Sequence, residues 1–180
     1  PLWIRPAVGG LLLGGIALLY PQVLGGGHGA IVTTLDTGFG LPLLLGLIVA
    51  KTLASAVSVG SGFRGGLFSS SLFLGSLFGS AAGALAAMIW PAVAVSHYAF
   101  TLVGMGAVAA AIVGAPVTMT LLVLEATANF SVTIAVLVAV LAAVLIVRIG
   151  FGYSFSTWRF HLRGVAIRWR LGLPAYGRDG

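Results

Sequence analysis

The sequence predicts an all-α polytopic membrane protein built from broken and tilted helices, and three observations predict it. Hydrophobic residues make up 59% of the 180 and charged residues only 7%, with a mean hydropathy of +1.15, so polar side chains are too few to cover a water-soluble globule of this size. The apolar runs are uneven in length and are divided by glycine and proline. A glycine- and serine-rich stretch, Gly60-Ser61-Gly62-Phe63-Arg64-Gly65-Gly66-Leu67-Phe68-Ser69-Ser70-Ser71, lies between two runs of membrane length, residues 41–59 and 67–90. Helices that break inside a bilayer are tolerated where they line a cavity.

Taken in order, residues 7–20 form a first apolar helix ended by Pro21. Its rise of about 21 Å is less than the ~30 Å hydrocarbon layer, so it does not span unaided. Leu24-Gly25-Gly26-Gly27-His28-Gly29 is a second glycine loop, followed by a brief segment over 30–35. His28 there reads as a polar contact or a proton relay. Asp36 caps or turns the chain near Gly38 and Gly40. Residues 41–59 are long enough to span, with Lys51 near the middle. An ammonium at that depth snorkels, pairs, or faces water or an anion path.

The run over 67–90 carries Ser71, Gly75, Gly79 and Gly83 at four-residue spacing. Small residues so placed flatten one helix face and let a second helix approach closely. A short segment over 99–113 stops at Pro116, and another over 117–124 leads to Glu125. The run over 132–147 has no charge. Glu125 reads as a structural hydrogen-bonding group or a proton carrier.

Six of the nine basic residues, Arg148, Arg159, Arg163, Arg168, Arg170 and Arg178, lie beyond that last run. The positive-inside tendency therefore places the C-terminus in the cytoplasm. With Trp158, Phe160 and Trp169 interleaved, the partner that fits this tail is a layer of lipid headgroups rather than nucleic acid. The chain divides into a membrane part, 1–150, and a last helix with a basic tail, 151–180. Cysteine is absent, and His28, His97 and His161 are too far apart for a zinc motif, so no metal or other cofactor is expected. The start at Pro1-Leu2-Trp3 reads as a piece of a longer polypeptide.

The chemistry concentrates in the 60–71 stretch. Glycines before a helix start leave its first amides unpaired, at the positive end of the helix dipole, and such an end binds anions. A nucleotide phosphate loop would end in Gly-Lys-Ser/Thr, whereas this one ends in Gly65-Gly66-Leu67-Phe68 with no acid nearby. A small inorganic anion fits better. The competing structural reading is a tight turn that allows close packing.

Several motifs in order now carry a resemblance: Tyr20-Pro21-Gln22-Val23-Leu24-Gly25-Gly26-Gly27, Ser61-Gly62-Phe63-Arg64-Gly65-Gly66-Leu67-Phe68, Gly104-Met105-Gly106-Ala107, Ala115-Pro116-Val117-Thr118 and Leu122-Val123-Leu124-Glu125. Together they resemble the ClC family of chloride channels and proton-coupled chloride transporters, over the C-terminal half of that family's membrane domain. The resemblance implies one half of an inverted-repeat fold and a homodimer with an anion pathway in each subunit. The segments near 117–124 and 132–147 look like its dimer-interface helices. It implies that the chain's own N-terminal half, absent here, holds the chloride-contacting serine, the gating glutamate and the proton-transfer glutamate.

By the same resemblance, the family's Gly-x-Phe-x-Pro motif aligns with Gly66, Leu67, Phe68, Ser69 and Ser70, which makes the Leu67 and Phe68 amides the expected chloride donors. Ser70 replaces the motif's proline, which leaves the main-chain site intact and loosens the helix start. The family's chloride-contacting tyrosine aligns with Ser156, and Tyr153 lies one helical turn earlier. The shorter hydroxyl implies weaker chloride holding or altered anion choice. Two rival classes stay open: an intramembrane serine hydrolase using Ser61 with His97, and a scaffold that dimerises without transporting.

Overall fold

The computed structural model describes residues 4–36, 39–63, 66–91, 96–151, 154, 169–170 and 173–174. Seven α-helices run through these residues: α1 (Ile4–Leu19), α2 (His28–Asp36), α3 (Leu41–Gly60), α4 (Leu67–Ile89), α5 (His97–Val113), α6 (Pro116–Thr127) and α7 (Phe130–Phe151). A one-turn 3-10 helix, Pro21–Val23, follows α1. Two-residue strands β1 (Trp169–Arg170) and β2 (Leu173–Pro174) pair antiparallel near the C-terminus. The expected tail helix, with Arg159 and Arg163 on one face, lies outside the described residues.

Helices α3, α4 and α7 are long and apolar enough to cross a bilayer, whereas α1, α5 and α6 are shorter apolar helices. The breaks follow from local chemistry. Helix α3 ends in a Schellman motif: the Gly62 amide bonds the Val59 carbonyl, the Phe63 amide bonds the Ser58 carbonyl, and Gly62 takes φ +84°. Helix α5 starts at Ser96, whose hydroxyl accepts from the Ala99 amide at 3.3 Å. It stops at left-handed Gly114, two residues before Pro116 opens α6. Asn129 then caps α7 through the Val132 amide at 3.3 Å.

The sequence places three starts late. Helix α1 begins at Ile4 rather than residue 7, α2 at His28 rather than 30, and α5 at His97 rather than 99. At α2 the loop ends earlier than its composition implies, because the Gly27 carbonyl already accepts from the Ile31 amide at 2.8 Å.

Two apolar cores result. One gathers Leu44, Leu47, Phe73 and Leu77 between α3 and α4, and the other gathers Leu102, Met105, Met119, Val123, Val136 and Val140 among α5, α6 and α7. The glycine face of α4 joins them by meeting α5. A Cβ at Gly75 would fall 2.6 Å from the Gly104 carbonyl oxygen, and one at Gly79 would collide with the Phe100 carbonyl. The four-residue stripe is therefore a packing face, as its spacing predicts. Ser71 and Ser76, buried on α4, return their hydroxyls to the Phe68 and Phe73 carbonyls at 2.7 and 2.8 Å.

Candidate functional site

The Schellman turn closing α3 delivers the chain to the start of α4, where Gly66 is the N-cap residue with φ −72° and ψ 108° and no side chain caps the helix. The first-turn amides thus keep their donor capacity and the positive end of the helix dipole. Directly in front lies a cavity of about 930 Å³, which Gly66, Leu67, Ser69 and Ser70 line. Helix α3 contributes Lys51, Ser55 and Ser58, and the loop after the 3-10 turn contributes Gly25 and Gly26. No aspartate or glutamate lines the cavity among the described residues. A helix N-terminus, an ammonium and serine hydroxyls around an acid-free space attract a small anion, the more so where protein and lipid keep the dielectric low.

Gly66 and Leu67 therefore stand at the cavity. Phe68 does not line it; its side chain is 40% exposed and its carbonyl accepts from Ser71. Ser156 and Tyr153 lie outside the described residues. Lys51 neither snorkels nor pairs with an acid. Its Nζ donates to the carbonyls of Val23 and Gly25, at 2.9 Å each, and sits 5.3 Å from the centroid of the Phe73 ring. The sequence missed the wall formed by Gly25, Gly26, Ser55 and Ser58. Its signal was the pairing of two acid-free glycine loops with a lysine in mid-helix.

Other singled-out residues do not join this site. Ser61 is the C-cap of α3 and its side chain abuts Gly9 of α1. The ring of His97 instead lies against the Thr34 carbonyl and the Ser80 hydroxyl, and Ser80 is about 20 Å along α4 from Leu67. The hydrolase pairing of Ser61 with His97 is not assembled. Glu125 is exposed on α6 and does not line the cavity. The described residues hold no group of three or more His, Cys, Asp or Glu that would fit a metal ion.

Comparison with known families bears on the chain as a whole. The model of the family described as "Voltage gated chloride channel" matches residues 1–148. The chain belongs to this family. It is 41% identical over 130 residues to the H(+)/Cl(-) exchange transporter ClcA of Vibrio campbellii, covering 70% of this chain and 28% of that protein. The ClcA exchanger of Vibrio cholerae serotype O1 (strain M66-2) is 43% identical over 117 residues, 64% of this chain and 25% of its own length. That of Salmonella agona is 39% identical over 124 residues, 69% and 26% of the two chains. The chain thus spans about a quarter of the length of the curated relatives it matches. With three helices of membrane length, this ClC chain is an integral membrane protein.

Proposed function

We propose that this ClC chain forms part of a chloride transport domain and binds the ion with main-chain amides at the start of α4. The observation that carries the reading is the uncapped N-terminus of α4 opening on an acid-free cavity with Lys51 in its wall. The names of the relatives, all H(+)/Cl(-) exchange transporters, support chloride as the ion. The donors are the Leu67 and Phe68 amides, with Ser156, or Tyr153 one turn earlier, supplying a hydroxyl from the far side. No cofactor takes part.

The remaining pathway comes from an N-terminal half of the same polypeptide. The functional unit is a homodimer in the bilayer, joined through the outer faces of α6 and α7, with the C-terminal tail in the cytoplasm beside lipid headgroups. The reading is transport rather than catalysis, in keeping with the separation of Ser61 from His97.

Leu67→Pro in the full transporter tests this. The backbone of Gly66 is already extended, as the residue before a proline must be, and proline at the first helical position keeps the turn while deleting one amide. A hydrogen bond to a charged partner is worth about 1.5–3 kcal/mol, so the half-saturating chloride concentration in liposome flux should rise at least ~10-fold. This chain reconstituted alone should give background flux. Unchanged half-saturation in Leu67→Pro would remove the amide site.

A further inference from the structure

Two main-chain carbonyls beside the cavity are held by a lysine. Lys51 is 4% exposed. Its Nζ donates to the Val23 and Gly25 carbonyls at 2.9 Å each and stands 5.3 Å from the centroid of the fully buried Phe73 ring. All three partners are electron-rich and none is a carboxylate, so they favour the ammonium without cancelling its charge.

The loop this ammonium grips is otherwise held at its two ends, by the Leu24 amide on the Pro21 carbonyl and the Ile31 amide on the Gly27 carbonyl. Residues 25–27 are all glycine, and Gly25 and Gly27 take φ +62° and +70°, a region open to glycine at no steric cost. Val23, Gly25 and Gly26 all line the cavity. Carbonyl oxygens released beside such a space are ligands for cations, the arrangement that cation filters use. Held on Lys51, the Val23 and Gly25 oxygens each accept from an ammonium whose charge repels a second cation.

We infer that Lys51 is a positioning residue that sets the charge preference of this cavity: it keeps two carbonyls engaged and adds a fixed positive charge, without itself being the ligand of the ion. The inference rests on the anion reading above. It assigns the choice between anion and cation to a side chain, whereas that reading assigns anion holding to amides at the start of α4.

The test uses the full transporter in liposomes. Lys51→Met should raise the half-saturating chloride concentration about 10-fold and lower the anion-over-cation permeability ratio, read from the reversal potential in a potassium chloride gradient. Lys51→Arg should restore both to within about three-fold, because guanidinium keeps the charge and the donors. A purely structural role would lower the amount of assembled protein and leave half-saturation and the ratio unmoved.

Wild-type values in Lys51→Met, alongside a shift in Leu67→Pro, overturn the inference and leave the amide site standing. Wild-type values in both overturn both, and a shift in Lys51→Met alone keeps the lysine's role while removing the amide site. Should Lys51→Met not assemble, Lys51→Gln replaces it with a neutral donor. Failure of both neutral variants to assemble, with Lys51→Arg assembling, assigns Lys51 to folding and overturns the inference.

Discussion

The Thr34 carbonyl belongs to the last turn of α2, where a helix leaves its carbonyls without internal partners. His97 supplies one, with Nε2 at 2.8 Å from that oxygen and 3.1 Å from Ser80 Oγ. A carbonyl only accepts, so Nε2 carries the proton and the imidazole ties α2, α4 and α5 at one point. His97→Ala should therefore cost about 1–3 kcal/mol, the usual penalty for stranding buried polar groups, read as earlier thermal unfolding in detergent; an unchanged midpoint would show the contact to be dispensable. At this scale the sequence was only half legible. Lys51 stood out because a charge amid apolar residues is costly, yet its partners are main-chain oxygens about 26–28 positions away, which no side-chain pattern announces.

Helices as units were easier to read, because their limits are written in local chemistry. Pro21, Gly62, Gly66 and Pro116 mark real ends, and the glycine stripe on α4 does meet another helix. The late starts at α2 and α5 have one cause: composition treats His28, Gly29 and His97 as loop residues, whereas main-chain bonds already wind them into a first turn. The α4–α5 contact separates two kinds of glycine. Gly79→Ala drives a methyl group into the Phe100 carbonyl and should destabilise by about 1–3 kcal/mol, as overpacking does. Gly10, on α1, has nothing within 4 Å of the place a Cβ would take, so Gly10→Ala should instead stabilise by roughly 0.5–1 kcal/mol through helix propensity. Thermal unfolding of the two variants in detergent checks both signs, and equal shifts would refute the distinction.

At the scale of the whole molecule, two cores meet across α4 and α5 while α7 turns Ile134, Val138, Leu141 and Leu145 outward, at 60%, 63%, 48% and 57% exposure. In a bilayer such a face meets lipid or another subunit. If it joins subunits, as proposed, Ile134→Trp with Leu141→Trp should shift chemically cross-linked protein in detergent from dimer toward monomer without unfolding it; a dimer band that persists would place the interface elsewhere. Fold class and helix order were readable from hydropathy and punctuation. The cavity was not, because Leu24, Gly25 and Gly26 share its lining with Gly62, Phe63 and Gly66, stretches far apart in sequence that only the folded chain brings to one space.

The cavity's first-turn wall presents peptide groups, and every amino acid except proline carries the same N–H. If the ion is held there by main-chain amides, as proposed, an alanine scan through residues 66–68 would consequently be almost silent, and divergence of those side chains says little about binding. Such a site is erased by editing the polymer itself, exchanging one amide for an ester, and evolution is free to repaint the side chains around it.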